Sequence, residues 1–424
     1  MVEKLTKKTR INATIEVPGD KSISHRSIII GAIAEGLTQI EGFSAGADCF
    51  STIACFEQMG IDIGLSGTAV KIYGKGLFGL KKAENTLNVG NSGTTIRLIS
   101  GILAGQGFTS RITGDASIQR RPMGRIITPL SMMGANINGE NGRFAPITIK
   151  GASLKGIEYT MPVASAQVKS SVLLAGLYAE GETTVIQPEI TRDHTEIMLE
   201  NFGADIAKNG LGVMVKRAKK LEGSKINIPG DISSAAYFIA LAILSENSQI
   251  TIRNIGINPT RSGFLTVLKQ MGANIEISNQ RVFSGEEVAD ITLRTSKLKA
   301  AEISGSLIPL MIDEIPILAV CALFAEGTTI IKDAQELKVK ESDRLHAMAV
   351  ELEKFGANVE ETEDGLIIQG GKALKGTHVN SHNDHRIAMS LAVCGCLVPG
   401  ETFVQEAQCC NISYPGFFEK LYNI

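Results

Sequence analysis

The sequence carries no excess of charge of either sign. Its 42 Lys and Arg stand against 44 Asp and Glu in 424 residues, a formal net charge of −2. No global field therefore favours nucleic acid or an anionic membrane, although a local basic cluster is allowed. Cysteine is sparse and unpaired in pattern. The seven residues 49, 55, 321, 394, 396, 409 and 410 are odd in number and form no CxxC. That usage fits reduced, buried thiols in a cytoplasmic protein. Long apolar runs are missing too. The longest, 315–325, is interrupted by Pro316 and is too short to span a bilayer. The first residues, MVEKLTKKTRINATIEV, lack the apolar core of a signal peptide. A cytoplasmic chain with neither membrane nor nucleic-acid partners is expected.

What the sequence has instead is repetition. Small-residue-rich apolar segments recur six times, as HRSIIIGAIAEG, TTIRLISGILAGQG, QVKSSVLLAGLYAEG, AAYFIALAILSEN, EIPILAVCALFAEG and HRIAMSLAVCGCLVPG. They end at Gly36, Gly107, Gly181, Asn247, Gly327 and Gly400, at intervals of 66 to 80 residues. Gly or Asn there suits a left-handed helix end. Apolar character on all sides predicts helices buried all round. A second, amphipathic helix alternates with the first and ends at Gly60, Gly134, Gly203, Gly272 and Gly356, with a truncated copy at FFEKLYNI. Short alternating stretches such as TTVIQP, SQITIRNI and TTIIKDA read as strands.

The class is therefore α/β, with six βαβαββ repeats, three in each of two domains. VPGDKS at 17–22 is echoed by IPGDIS at 228–233. Taking these as crossovers gives one lobe at 20–228 and another at 1–19 plus 229–424. A two-strand hinge of this kind predicts a cleft that closes on a ligand.

Polar clusters sit at the starts of the buried helices. They are Lys21, Ser22 and Arg26; Asn91 to Thr95 with Arg97; Ser165 to Lys169; Asp313 and Glu314; and Asn383 to Arg386. The fourth copy, ISSAAYF, has no cation. Helix N-termini attract anions, and Lys and Arg reinforce them. Further cations lie in GDASIQRRPMGR and ELKVKESDRLHAM, where helical spacing would put Lys340 and Arg344 on one face. Taken singly, Ser22, Ser92 and Ser165 read as caps. Arg121 alone reads as a loop residue, and Lys338, Lys340 and Arg344 as a solvated face paired with Glu341 and Asp343. His382 and His385 have metal-ligand spacing, but no third ligand is suggested. Recurrence at equivalent places favours an anion site.

The motifs PGDKSISHR, NSGTTIRL, RRPMGR, SAQVKS, TRDHTE, DEIP, KVKESDRL and NDHRIAMS, in that order over residues 17–416, resemble the 5-enolpyruvylshikimate-3-phosphate synthase family. The resemblance implies a two-domain inside-out α/β barrel with helices buried and sheets outside. It also implies transfer of the enolpyruvyl group of phosphoenolpyruvate to the 5-hydroxyl of shikimate 3-phosphate, with release of phosphate. That reaction runs by addition and elimination, with no metal or organic cofactor, in a monomer. Shikimate 3-phosphate would be held by Lys21, Ser22, Arg26, Ser165, Ala166, Gln167, Thr191, Asp313 and Lys340. Phosphoenolpyruvate would be held by Lys21, Gly93, Arg121, Gln167, Arg344 and Arg386, where glyphosate is expected to compete. Asp313 would serve as base, Glu341 with Lys21 as proton donor, and His385 would assist. Departures are Ile412 where some relatives carry Lys, Glu336 in place of Asn, Ala166 in place of Ser, and Thr191 in place of Ser.

Two rivals are weaker. A sister enolpyruvyltransferase acting on UDP-N-acetylglucosamine carries Cys five residues before the Arg-Pro pair, where this chain has Ala116. A six-unit DNA clamp needs a basic inner surface, but the central helices here are apolar.

Overall fold

In the computed structural model, which describes residues 1–424, the strands form six small sheets, five of four strands with one recurring connectivity and a sixth of three strands. The sheet of Leu87–Asn88, Thr109–Thr113, Phe144–Lys150 and Asn136–Glu140 serves as the example, in that spatial order. A short first strand runs parallel to the second, and an antiparallel hairpin completes the sheet. Parallel neighbours require a crossover, and the apolar helix Gly93–Ala104 between the first two strands supplies it.

Contacts divide the chain into two units. One holds Gly19–Ile228 with Val282–Glu286; the other holds Met1–Pro18, Pro229–Arg281 and Glu287–Ile424. Each unit has sheets completed by a strand distant in sequence, and in the second unit Val2–Thr6 joins Glu401–Gln405 antiparallel. Lys225–Asn227 lies parallel to Glu35–Glu41 in the first unit, and Asn12–Ile15 parallel to Gln249–Gly256 in the second.

The core of the first unit surrounds helices Lys21–Ile33, Gly93–Ala104 and Ala166–Gly176; that of the second surrounds Ile232–Leu244, Ile315–Leu323 and His385–Leu397. Small residues allow these helices to touch. A Cβ built at Gly101 would lie 2.1 Å from the carbonyl oxygen of Ser171, so helices Gly93–Ala104 and Ala166–Gly176 meet at a separation that only glycine permits. No helix is long and apolar enough to cross a membrane. All seven cysteines are free and buried.

Five of the six predicted helix-closing residues, Gly36, Gly181, Asn247, Gly327 and Gly400, have positive φ between 51° and 103°. Gly107 departs from the expectation. The turn after Ala104 passes through Gly105 at φ −92°, with its N–H bonded to the carbonyl of Ile102, so no left-handed residue is needed.

The two echoed segments each deliver an aspartate to a helix start. Asp20 accepts from the N–H of Ile23 at 2.9 Å, and Asp231 from that of Ser233 at 2.8 Å. Gly19 is required beside Asp20, because a Cβ there would overlap the carbonyl oxygen of Gly42 at 1.7 Å.

Candidate active site

In the first unit, polar side chains converge on the starts of the three buried helices. Lys21 opens helix Lys21–Ile33 and pairs with Asp48. Ser22 is not the cap expected of it: Asp20 caps this helix, and the carbonyl of Ser22 accepts from Arg26 Nη1 at 2.9 Å.

Arg26 is 3% exposed, yet all its partners are neutral. Besides Ser22, its Nε donates to Thr195 Oγ1 at 2.6 Å and its Nη2 to Ser170 Oγ at 3.0 Å. Burial lowers its pKa to about 10, partly offset by the field of Glu196. A buried cation with only neutral ligands keeps its charge for an incoming anion.

His25 is fully buried and joins a hydrogen-bonded chain. Its Nδ1 shares a hydrogen bond with Thr52 Oγ1 at 2.7 Å, Thr52 with Thr95 at 2.7 Å, and Thr95 Oγ1 donates to Ser92 Oγ at 2.6 Å. Burial, with Lys21 and Arg26 nearby, pushes the pKa of His25 well down, so it is a neutral structural link.

Ser92 and Ser165 are caps, as the sequence suggested, accepting from the N–H groups of Thr95 and Val168. Gly93 begins its helix beneath two guanidinium groups: a Cβ there would lie 3.0 Å from Arg121 Nη1 and 3.0 Å from Arg97 Nη1. Arg121 donates to Asn91 at 3.0 Å and to Ser117 at 3.1 Å, so it is anchored beside this helix start and is no ordinary loop residue. Gln167 links the helices, accepting from Arg97 and donating to Thr94 Oγ1 at 3.0 Å. Ala166, the first residue of its helix, offers only a methyl group. Thr191 is buried and spends its hydroxyl on Gln187 at 2.8 Å. Lys169 does not join the cations at the helix start. Its side chain is fully buried and pairs with Glu196 at 2.6 Å.

The second unit holds arginines among carboxylates. Arg344, 1% exposed, meets Glu341 at 2.6 Å, Asp384 at 2.8 Å and Asp313 at 3.3 Å. Arg386 meets Asp313 at 3.5 Å and Glu314 at 3.8 Å. Burial opposes both charges, but the carboxylates outweigh it and raise both pKa values. Burial also opposes the charge on Asp384, and Arg344 reverses that, holding its carboxyl below the usual range. Lys340 is half-buried; burial lowers its pKa, with Asp313 partly offsetting. Lys340 and Arg344 do not share a helical face. The chain forms a short 3₁₀ turn over Gln335–Val339, and helix Arg344–Lys354 begins only after the Asp343 cap. His385 is buried at the first position of its helix, while His382 bonds to Glu351 at 2.9 Å. Ile412 packs on the apolar core, and Glu336 lies in the 3₁₀ turn.

Sequence reasoning missed Arg261. It bonds to Glu314 at 3.1 Å, to Asp231 at 3.4 Å and to Ser233, so the fourth helix start does have a cation, supplied from 30 residues downstream. It also missed Asp48, and it gave no role to Ser170 and Thr195, the neutral hydroxyls within SAQVKS and TRDHTE.

The family model described as EPSP synthase (3-phosphoshikimate 1-carboxyvinyltransferase) matches residues 5–421. A 3-phosphoshikimate 1-carboxyvinyltransferase of Thermoanaerobacter sp. (strain X514) is 58% identical over 413 residues, covering 97% of each chain. One from Bacillus thuringiensis subsp. konkukian is 53% identical over 415 residues, 98% of this chain and 97% of the other. The solved EPSP synthase of Acinetobacter baumannii superposes with a TM-score of 0.89 at 45% identity, covering all of this chain and 97% of that one. Similarity of this extent, running through every helix start described above, shows that the chain belongs to the EPSP synthase (3-phosphoshikimate 1-carboxyvinyltransferase) family.

Proposed function

We propose that the protein transfers the enolpyruvyl group of phosphoenolpyruvate to the 5-hydroxyl of shikimate 3-phosphate and releases phosphate, on the route to aromatic amino acids. The observation that carries this reading is that each unit, taken by itself, holds buried guanidinium groups at its helix starts: Arg26 and Arg121 in one, and Arg261, Arg344 and Arg386 in the other. Two anionic substrates that must react need such a set to offset their repulsion. We further infer that each unit is built of three βαβαββ repeats with helices inside and sheets outside, and that the enzyme is a cytoplasmic monomer.

The roles are those the family resemblance implies, and the chemistry of each group is consistent with its part. Arg26, with Lys21, Ser22, Ser165, Gln167, Thr191 and Lys340, holds shikimate 3-phosphate; Ala166 supplies only its backbone. Arg121, Arg344 and Arg386, with Lys21 and Gln167, hold phosphoenolpyruvate, and the bare Cα of Gly93 leaves it room. Asp313 takes the proton of the 5-hydroxyl as its oxygen bonds to C2 of phosphoenolpyruvate. Glu341, with Lys21, gives a proton to C3, completing a tetrahedral ketal. The C2–O bond to phosphate then breaks, C3 returns a proton, and the enol ether is left on the acceptor.

On this reading the ion pairs of the second unit must give way before protons move. Glu341 and Asp313 both rest on Arg344. An anion reaching Arg344 and Arg386 competes with both carboxylates, so that Asp313 can accept the hydroxyl proton, while Glu341, relieved of its counter-charge, takes up from solvent the proton it gives to C3. The turn is held by Asp384, which accepts from the Arg386 N–H at 2.9 Å, and His385, standing between them at the helix start, assists.

Phosphate release measured with each acceptor tests the reading. Release with shikimate 3-phosphate is expected; release only with UDP-N-acetylglucosamine would overturn it.

A further inference from the structure

Arg26 rests on two hydroxyls that also bond to each other, Ser170 and Thr195, at 2.6 Å. Their chain neighbours form a second pair: Lys169, just before Ser170, meets Glu196, just after Thr195, at 2.6 Å. Both of those side chains are completely buried. Helices Ala166–Gly176 and His194–Asn201 are thus joined by an uncharged rung that supports Arg26 and an ionic rung beside it. Lys169 Nζ also donates to the carbonyl of Thr191 at 3.1 Å. Neither oxygen of the Glu196 carboxylate has a hydrogen-bond partner; Oε1 meets Lys169 only as an ion pair, and Oε2 meets nothing. Glu196 is also the strongest of the acids acting on Arg26 through its field.

A buried ion pair adds little net stability over a packed apolar replacement, so stability does not account for this one. Its position does. A buried carboxylate one residue from the Thr195 ligand of Arg26, with an oxygen to spare, would otherwise take the arginine as its counter-ion. An arginine neutralised in that way holds a phosphate poorly.

We propose that Lys169 is a positioning residue that sequesters Glu196 and thereby keeps Arg26 free of a counter-charge and available to the phosphate of the substrate. This rests on the reading of Arg26 as a ligand of shikimate 3-phosphate, and the test separates the two ideas.

Calorimetric titration of shikimate 3-phosphate into the full chain is the measurement. Arg26→Leu is expected to weaken binding; unchanged affinity would overturn the reading of Arg26 itself. Given that loss, Lys169→Met is expected to weaken binding about tenfold or more. Adding Glu196→Gln to Lys169→Met removes the competing charge and should restore affinity to within about threefold of the wild type. Because Glu196→Gln also relieves the stranded buried charge, a stability effect would be rescued too, so a thermal melt accompanies each titration: affinity lost in a Lys169→Met protein that is fully folded at the titration temperature separates the two. Equal weakening in the single and double variants would overturn the inference. Should Lys169→Met fail to fold, Glu196→Gln alone decides. Unchanged or tighter binding supports sequestration, and weaker binding refutes it.

Discussion

Replacing Arg344 by Met would remove one positive partner from three carboxylates at once. Asp384 decides the magnitude, because its side chain is wholly buried and sits 2.8 Å from Arg344 Nε, while Asp313 and Glu341 keep some access to water. Removing one partner of a buried pair costs roughly 3–5 kcal/mol. The pH dependence follows from what acts on Asp384, where burial raises the pKa and Arg344 reverses this. In the wild type the carboxyl lies below its unfolded value, so its contribution is present at neutral pH and lost only on falling through that depressed pKa. In Arg344→Met the largest charge opposing burial is gone, and the pKa is expected to rise above the unfolded value. The variant is then penalised at neutral pH and recovers as Asp384 takes a proton. The stability gap between the two proteins should therefore narrow from pH 7 toward about pH 4. Urea unfolding followed by circular dichroism across that range reads the gap. A loss under about 1 kcal/mol, or one that stays constant with pH, would refute the argument.

Gly93→Ala places a methyl 3.0 Å from both Arg121 and Arg97, each already anchored by hydrogen bonds. KM for phosphoenolpyruvate should rise several-fold with the melting temperature nearly unchanged; steady-state kinetics and a melt check this. Asp313→Ala should lower kcat by roughly 10²–10⁴. It should leave KM for phosphoenolpyruvate unchanged or lower, because Arg344 and Arg386 each lose a competing carboxylate. Wild-type turnover would remove Asp313 as the base. Thr195→Val deletes the acceptor of Arg26 Nε, a charged hydrogen bond worth about 1.5–3 kcal/mol, or roughly tenfold or more in affinity for shikimate 3-phosphate. Thr195→Ser should restore it, and failure of that rescue would count against the hydroxyl.

Periodicity and spacing made much of this legible in the sequence. The buried helices follow from unbroken apolar runs, and the glycines ending the amphipathic helices, Gly60, Gly134, Gly203, Gly272 and Gly356, all have φ between 85° and 98°. Clusters contiguous in sequence, such as Lys21 to Arg26, were also visible. Pairings between distant segments were not. Nothing in NPTR announces that Arg261 reaches the helix start at Asp231, or that Asp48 pairs with Lys21. Lys169 shows the converse: a lysine in a helix-start motif looks available to a ligand until the fold brings Glu196 against it. Likewise, i to i+4 spacing of Lys340 and Arg344 misled, because the Asp343 cap starts the helix between them.

The most direct test is to run the reaction of phosphoenolpyruvate with shikimate 3-phosphate in deuterium oxide and examine the enolpyruvyl product by mass spectrometry. Addition and elimination pass the methylene carbon through a methyl group, so deuterium should appear on the product vinyl carbon as phosphate is released. A product carrying only protium there, or no enolpyruvyl product at all, would contradict the account.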